Sequence, residues 1–357
     1  MRLRLMRHPT RDVDAISLLE TFLVSGAATV LVIRTQLWAT NYPQLGGGGL
    51  HIAHLLYGGI FMALTIGLLL MYLNRSLRRP AAVLGGIGFG FFIDELGKFI
   101  TSDNNYFFKP AAALIYLTFV AMYLIIRGLD RRRGLTELEL VANALDLAAE
   151  AARHDLDERE KRRALELLDR ADPNDPIVAP VRQMLTQLDA IPARPPGWPA
   201  RTALRVRDAY LAFSKTPLFT PLVTWVIVGW GALSLALTFE LVLSIGLDLG
   251  GAHPGAEGDS WSDLSVINWL SLASSTTSGV LVVVGVVLLR RGDIDAAYRW
   301  FERALLISIF ITRSFSFVES QFGAVFGLGI DLLLLVSLGL MMRGERQRAA
   351  VEGAAGA

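Results

Sequence analysis

The chain contains no cysteine, which rules out disulfides, thiolate metal centres and thiol nucleophiles. Lysine is nearly missing as well, four residues against thirty arginines, a bias that fits a GC-rich bacterial genome. Five histidines leave a very small supply for any imidazole metal site. Charge of one sign is also lacking: 34 basic residues stand against 33 acidic ones, for a formal net charge of +1. A balanced chain offers no bulk attraction to nucleic acid, and no nucleic-acid partner is expected. Walker, nucleophile-elbow, HExxH and dinucleotide-fingerprint motifs are absent.

What the 357 residues do contain is apolar sequence in long blocks, 53% hydrophobic with a mean hydropathy of +0.45. Blocks of about 20 such residues are long enough to cross a bilayer. The expected fold is an all-α polytopic membrane protein with about eight transmembrane helices, at 16–34, 51–73, 81–101, 110–127, 217–246, 264–289, 304–321 and 323–342. The start, MRLRLMRHPTRD, has the basic character of a signal-peptide n-region. The apolar run then continues to Ile33 without a small-residue cleavage site, so a retained first helix is expected. With the N-terminus inside, twenty-two basic residues fall in inner segments and two, Arg34 and Lys109, in outer loops. That asymmetry predicts a plasma-membrane protein with both termini cytoplasmic.

Four regions follow: a first transmembrane half at 1–134, a cytoplasmic helical insert with a juxtamembrane helix at 135–213, a second half at 214–344, and a disordered cytoplasmic tail at 345–357. The two halves can be laid over each other as a 4+4 parallel repeat, with exits YLIIRGLDRR and GLMMRGERQR. The insert reads as amphipathic helices broken at ADPNDP, a module for a protein partner over 135–190. Arginines and aromatics at 200–215 suit anionic headgroups on the inner surface, with the lipid bilayer the partner of the rest.

The candidate functional residues are the charges inside the spans, costly there unless they have a use. Gly86, Gly90, Asp94 and Lys98 recur every four residues, so they share one helix face. The glycines invite a close neighbour, and Asp94 with Lys98 is spaced for an intrahelical pair. Glu95 lies about 100° around the helix from Asp94. Gly323, Gly327 and Asp331 repeat the stripe. If the last hairpin turns at Phe322, Arg313 and Asp331 each lie nine residues from the turn, which predicts that they meet, with Glu319 nearer the outer surface. Glu240 is the acidic residue of the fifth span. The sixth span begins NWLSLASSTTSG, hydroxyls able to bond between helices or to line a wet cavity.

His51 and His54, three apart, point the same way and suit a metal or haem pair; the alternative is two interfacial histidines bonded to loop backbone. Three functions are therefore open. The first is transport or permeation of a small polar or charged solute or ion at a site in the outer half of the membrane. The second is a non-catalytic adaptor working through the helical insert. The third is a metal-dependent membrane enzyme at His51 and His54.

Overall fold

A computed structural model of the protein describes residues 9–40, 54–100, 109–131, 134–192, 195, 197–249 and 266–355. Among these residues the fold is helical, with one isolated bridge between Asp157 and Ile191 in place of any sheet. Fourteen α-helices are described: α1 (Ala15–Ala39), α2 (His54–Met71), α3 (Arg78–Asp94), α4 (Leu96–Ile100), α5 (Lys109–Arg131), α6 (Glu137–Ala148), α7 (Glu158–Arg170), α8 (Val178–Gln187), α9 (Trp198–Ser214), α10 (Phe219–Leu249), α11 (Val266–Arg290), α12 (Ile294–Ile307), α13 (Arg313–Ser320) and α14 (Ala324–Ala355). Six stretches of them are long and apolar enough to cross a membrane. The last of these, Ile294–Glu345, folds back at Gln321–Gly323, where Gln321 takes φ 49°. The third expected span, 81–101, is interrupted: α3 ends at Asp94, Glu95 is a turn residue, and α4 begins at Leu96.

The chain divides into two compact units, residues 1–106 with 118–197, and residues 107–117 with 198–357. The first part of α5 groups with the second unit.

In the first unit α3 packs against both α1 and α2. Its glycines are the reason it can. A Cβ on Gly86 would overlap the carbonyl of Phe22, and one on Gly90 would lie 2.6 Å from that of Gly26, both on α1. On the other face Gly88 would meet the Gly58 carbonyl of α2 at 2.9 Å. Bare backbone on two sides lets three helices approach to near contact distance, where dispersion acts between main chains.

The polar insert folds within this unit as a bundle of α6, α7 and α8 around Leu140, Ala144, Leu147, Leu167, Leu168 and Leu185. Thr136 with Glu139, and Asp157 with Glu160, form capping boxes that satisfy the first amides of α6 and α7.

In the second unit α10, α11, α12 and α14 enclose a core centred on Ile227, Phe301 and Leu338. The aromatic–basic helix α9 is exposed from Arg201 to Ala209. It is tied down at Tyr210, which packs edge-on to Phe219 and bonds Ser337 at 2.5 Å. Residues 345–355, expected as a disordered tail, instead continue α14. The sequence ERQRAAVEGAA is mostly good helix formers and needs no packing partner to extend an existing helix.

Candidate functional site

Charge is gathered at three places, two among the apolar helices and one beside the polar bundle. The first centre lies where α3 ends. Arg34 on α1 donates from Nε to the Asp94 carboxylate at 2.6 Å and from an Nη nitrogen to the Asp94 carbonyl at 2.9 Å. One guanidinium thus neutralises the carboxylate and caps the exposed carbonyl end of a helix, where positive charge is favoured. Asp94 and Glu95 are both fully buried. Glu95 accepts the backbone N–H of His54 at 3.1 Å, with the imidazole Nδ1 3.4 Å away.

Arg34 was assigned by sequence to an outer loop, and its place inside α1 corrects that. The residue sits at the end of an apolar run, where span and loop look alike. The intrahelical partner expected for Asp94, Lys98, has its side chain outside the described residues, and so does His51. No group of metal-ligating residues occurs among the described ones, and His54 is engaged with Glu95.

The second centre is built on Asp331 of α14, also fully buried. Three elements supply its donors. Trp230 Nε1 on α10 lies 3.0 Å from Oδ1, while Ser308 Oγ and Arg313 Nε lie 2.8 and 2.7 Å from Oδ2. The expected Arg313–Asp331 pair is therefore formed, and counting residues from the hairpin turn located it.

Two supporting features were not legible in that count. Residues 308–312 form a π-helical segment, in which the Arg313 amide reaches back to the Ser308 carbonyl. In an α-helix, positions five apart point about 140° away from each other. Bonding from i to i+5 brings them nearly one above the other, which is how Ser308 and Arg313 reach the same carboxylate oxygen. In the same wide turn the Ile309 carbonyl accepts the Tyr116 hydroxyl, and the Tyr116 ring stacks on Phe317 at 4.6 Å.

The other feature is Gly327. A Cβ there would overlap the guanidinium of Arg313, so the glycine leaves the space the cation fills. The opposite neighbour of the guanidinium is the Trp230 ring, with Cζ 5.8 Å from its centroid.

Beside this pair lies a cavity of about 250 Å³. Arg313 and Asp331 line it together with hydroxyls from three helical stretches: Ser234, Ser275 and Ser278, and Ser308, Thr312 and Ser316. The polar opening of the sixth span behaves as expected on both counts, since Ser275 and Ser278 face the cavity and Ser278 also bonds the Ala304 carbonyl of α12. Thr312 Oγ1 is buried without a hydrogen-bond partner. Of the remaining candidates, Glu240 and Glu319 are exposed and neither lines the cavity.

The third centre was missed altogether. Arg75, between α2 and α3, is 7% exposed. It pairs with Asp14 at 2.5 Å and with Asp146, lies 3.4 Å from Asp12, and gives its amide to Glu150 at 3.0 Å. Burial by itself would lower the Arg75 pKa, but the three aspartates outweigh it and raise the value above that of ordinary arginine. Arg78 bridges Asp12 and Asp146, Arg163 meets Asp14 at 2.8 Å, and Asn143 takes the Val13 amide at 2.7 Å. The bundle is thus fastened to the segment before α1 and to the α2–α3 connection. In the sequence Arg75 and Arg78 read as a topology signal, and that reading names no partners for them.

No protein family, characterised protein or solved structure matches this chain.

Proposed function

We propose that this chain is a membrane transport or permeation protein for a small polar or charged solute, and that the cavity beside Arg313 and Asp331 is where the solute binds. The observation carrying the reading is a buried ion pair that opens onto a hydroxyl-lined space within apolar helices. A charge kept at such a position without a ligand-facing use is expensive. In this reading the chain crosses the plasma membrane eight times with both termini cytoplasmic, which the asymmetry of arginines supports. Eight or nine residues of helix separate Arg313 and Asp331 from the turn, about 13 Å at 1.5 Å per residue. That depth is close to the middle of a hydrocarbon layer about 30 Å thick. The two Arg–Asp pairs join spans one and three in one unit and seven and eight in the other, so they lend no support to a 4+4 duplication.

The test is uptake into proteoliposomes containing the full chain, with anionic, cationic, zwitterionic and neutral solutes. Arg313→Gln and Asp331→Asn are each expected to lower uptake of the accepted solute at least tenfold. Unchanged uptake of every solute in both variants would remove the reading.

A second reading has its own observation. The polar bundle is clamped by Arg75 to the connections of α1, α2 and α3, which suits a module that regulates the membrane helices or recruits a protein to them. Deleting residues 135–191 separates the two: transport retained after the deletion favours the transport reading, and loss of a copurifying partner from a chain that transports no tested solute favours the adaptor.

A further inference from the structure

The donors and acceptors around the cavity are not balanced. Asp331 already accepts three hydrogen bonds, from Trp230, Ser308 and Arg313 Nε, so little of its accepting capacity is left for a ligand. Arg313 spends only Nε on that contact. Its two Nη nitrogens make no hydrogen bond among the described residues, and no other basic side chain lines the cavity. The buried Thr312 hydroxyl has no hydrogen-bond partner among the described residues. Ser234 and Ser275 likewise make no hydrogen bond among the described residues, leaving their protons available. The space therefore presents a forked cation and several hydroxyl donors, and its remaining wall is apolar, with Ile227, Val282 and Leu305.

A planar guanidinium whose terminal nitrogens make no hydrogen bond among the described residues matches a carboxylate, which can take two parallel N–H bonds. The wall argues against a dianion, because a second negative charge would find no cation there and would have to be desolvated unpaired. We propose, building on the transport reading above, that the solute is a small organic monocarboxylate, its head on Arg313 and Thr312 and its short apolar tail against Ile227, Val282 and Leu305. Asp331 and Gly327 are then positioning residues: Asp331 holds Nε so that the Nη fork faces the space, and Gly327 leaves room for the guanidinium to lie flat.

Equilibrium dialysis of radiolabelled butyrate against the purified full chain tests this, with butanol, butylammonium, succinate and chloride as competitors. Butyrate is expected to bind saturably and to be displaced by unlabelled butyrate, and the four competitors to be at least tenfold weaker. Arg313→Gln and Gly327→Ala are expected to weaken binding tenfold or more, and Thr312→Val several-fold. Arg313→Gln leaves Asp331 short of its cation and can prevent folding; Gly327→Ala and Thr312→Val keep the pair and carry the test in that event. If butylammonium, butanol or chloride binds in place of butyrate and Gly327→Ala weakens it, the carboxylate assignment is wrong while the cavity remains the solute site. If none of the probes binds, or binding ignores all three variants, the cavity is no solute site and both proposals fall.

Discussion

The two units each bury an arginine against an aspartate, with almost the same exposure: 12% and 0% for the side chains of Arg34 and Asp94, 13% and 0% for Arg313 and Asp331. What differs is how the rest of each guanidinium is used. Arg34 places a second nitrogen on the carbonyl that ends α3, beside helices packed backbone to backbone through Gly86 and Gly90. Arg313 makes no hydrogen bond with its second and third nitrogens among the described residues, and it lines a cavity. An ion pair in an apolar setting gains little net stability, because desolvation offsets attraction. Burial and pairing alone therefore do not mark a site. The count of donors left over separates the two: the first guanidinium is used to fix helix geometry, and the second is the one the transport proposal assigns to the solute.

The strongest test of this contrast is to remove each pair in two ways. Breaking either by a single change, Arg34→Gln or Arg313→Gln, strands a buried carboxylate and is expected to cost about 3–5 kcal/mol of stability. Replacing both partners by apolar residues, Arg34→Met with Asp94→Leu, should restore most of that loss and leave solute uptake within a few-fold of the parent. The matching double replacement, Arg313→Met with Asp331→Leu, should also recover stability but abolish uptake. Thermal unfolding in detergent and uptake in liposomes read the two quantities separately. Recovery of uptake by the second double variant would erase the distinction between the pairs.

Arg75 sharpens the comparison because its side chain is even more buried, at 5%, yet it faces the polar bundle. Arg75→Ala leaves Asp14 and Asp146 without their main cation, while Glu150 keeps the residue-75 amide and Arg153. A loss of about 3 kcal/mol is expected, at the lower end of the range for breaking a buried pair, since the aspartates are partly solvated and keep Arg78 and Arg163. The loss should be confined to docking of the bundle, seen as protease cleavage between residues 131 and 137, with the α1–α3 packing intact. Cleavage unchanged from the parent would mean that the hydrophobic contacts of Val13 hold the bundle in place.

The glycines give a smaller and more local pair of effects. Gly86→Ala drives a methyl group into the backbone of α1 and should cost about 1–3 kcal/mol, as overpacking does. Gly327→Ala meets only a side chain, which can swing away, so it should cost under about 1 kcal/mol in stability while displacing the guanidinium. A large unfolding effect at Gly327 with binding preserved would reverse the roles given to the two stripes.

How far the chain could be read in advance follows from the same residues. The glycine stripe of α3 and the Arg313–Asp331 pair were legible because each depends on a fixed period or a count from a turn. All-helical architecture and apolar segments long enough to span a membrane were legible from composition. Arg34 and Arg75 were not, since a basic residue at the edge of an apolar run has two readings, topology marker or partner, and only the fold supplies the carboxylate. The π segment at 308–312 carries no proline or glycine to announce it. It arises where Ser308 and Arg313 are both drawn to Asp331, a tertiary demand that local sequence does not state.

The last effect, also about 1 kcal/mol, concerns Glu139, and it separates the polar bundle from both Arg–Asp pairs by pH. Its carboxylate accepts the amide of Thr136 at 2.9 Å and that of Arg11 at 3.2 Å. Those bonds, the Thr136 amide first, outweigh burial and hold its pKa below the usual glutamate value. A carboxyl whose folded pKa is depressed contributes stability that is complete above its unfolded pKa, about 4.3, and that is lost as pH falls through the folded value. The bundle should therefore loosen below about pH 4. Pepsin cleavage within residues 135–191, followed from about pH 5 down to about pH 2, should rise in that window. Glu139→Gln, which keeps one acceptor and opposes the other amide with an N–H, should cost about 1 kcal/mol near neutrality and flatten the pH response. A variant as steep as the parent would move the acid sensitivity to the aspartates around Arg75, making that clamp and not the α6 cap the weak point of the bundle.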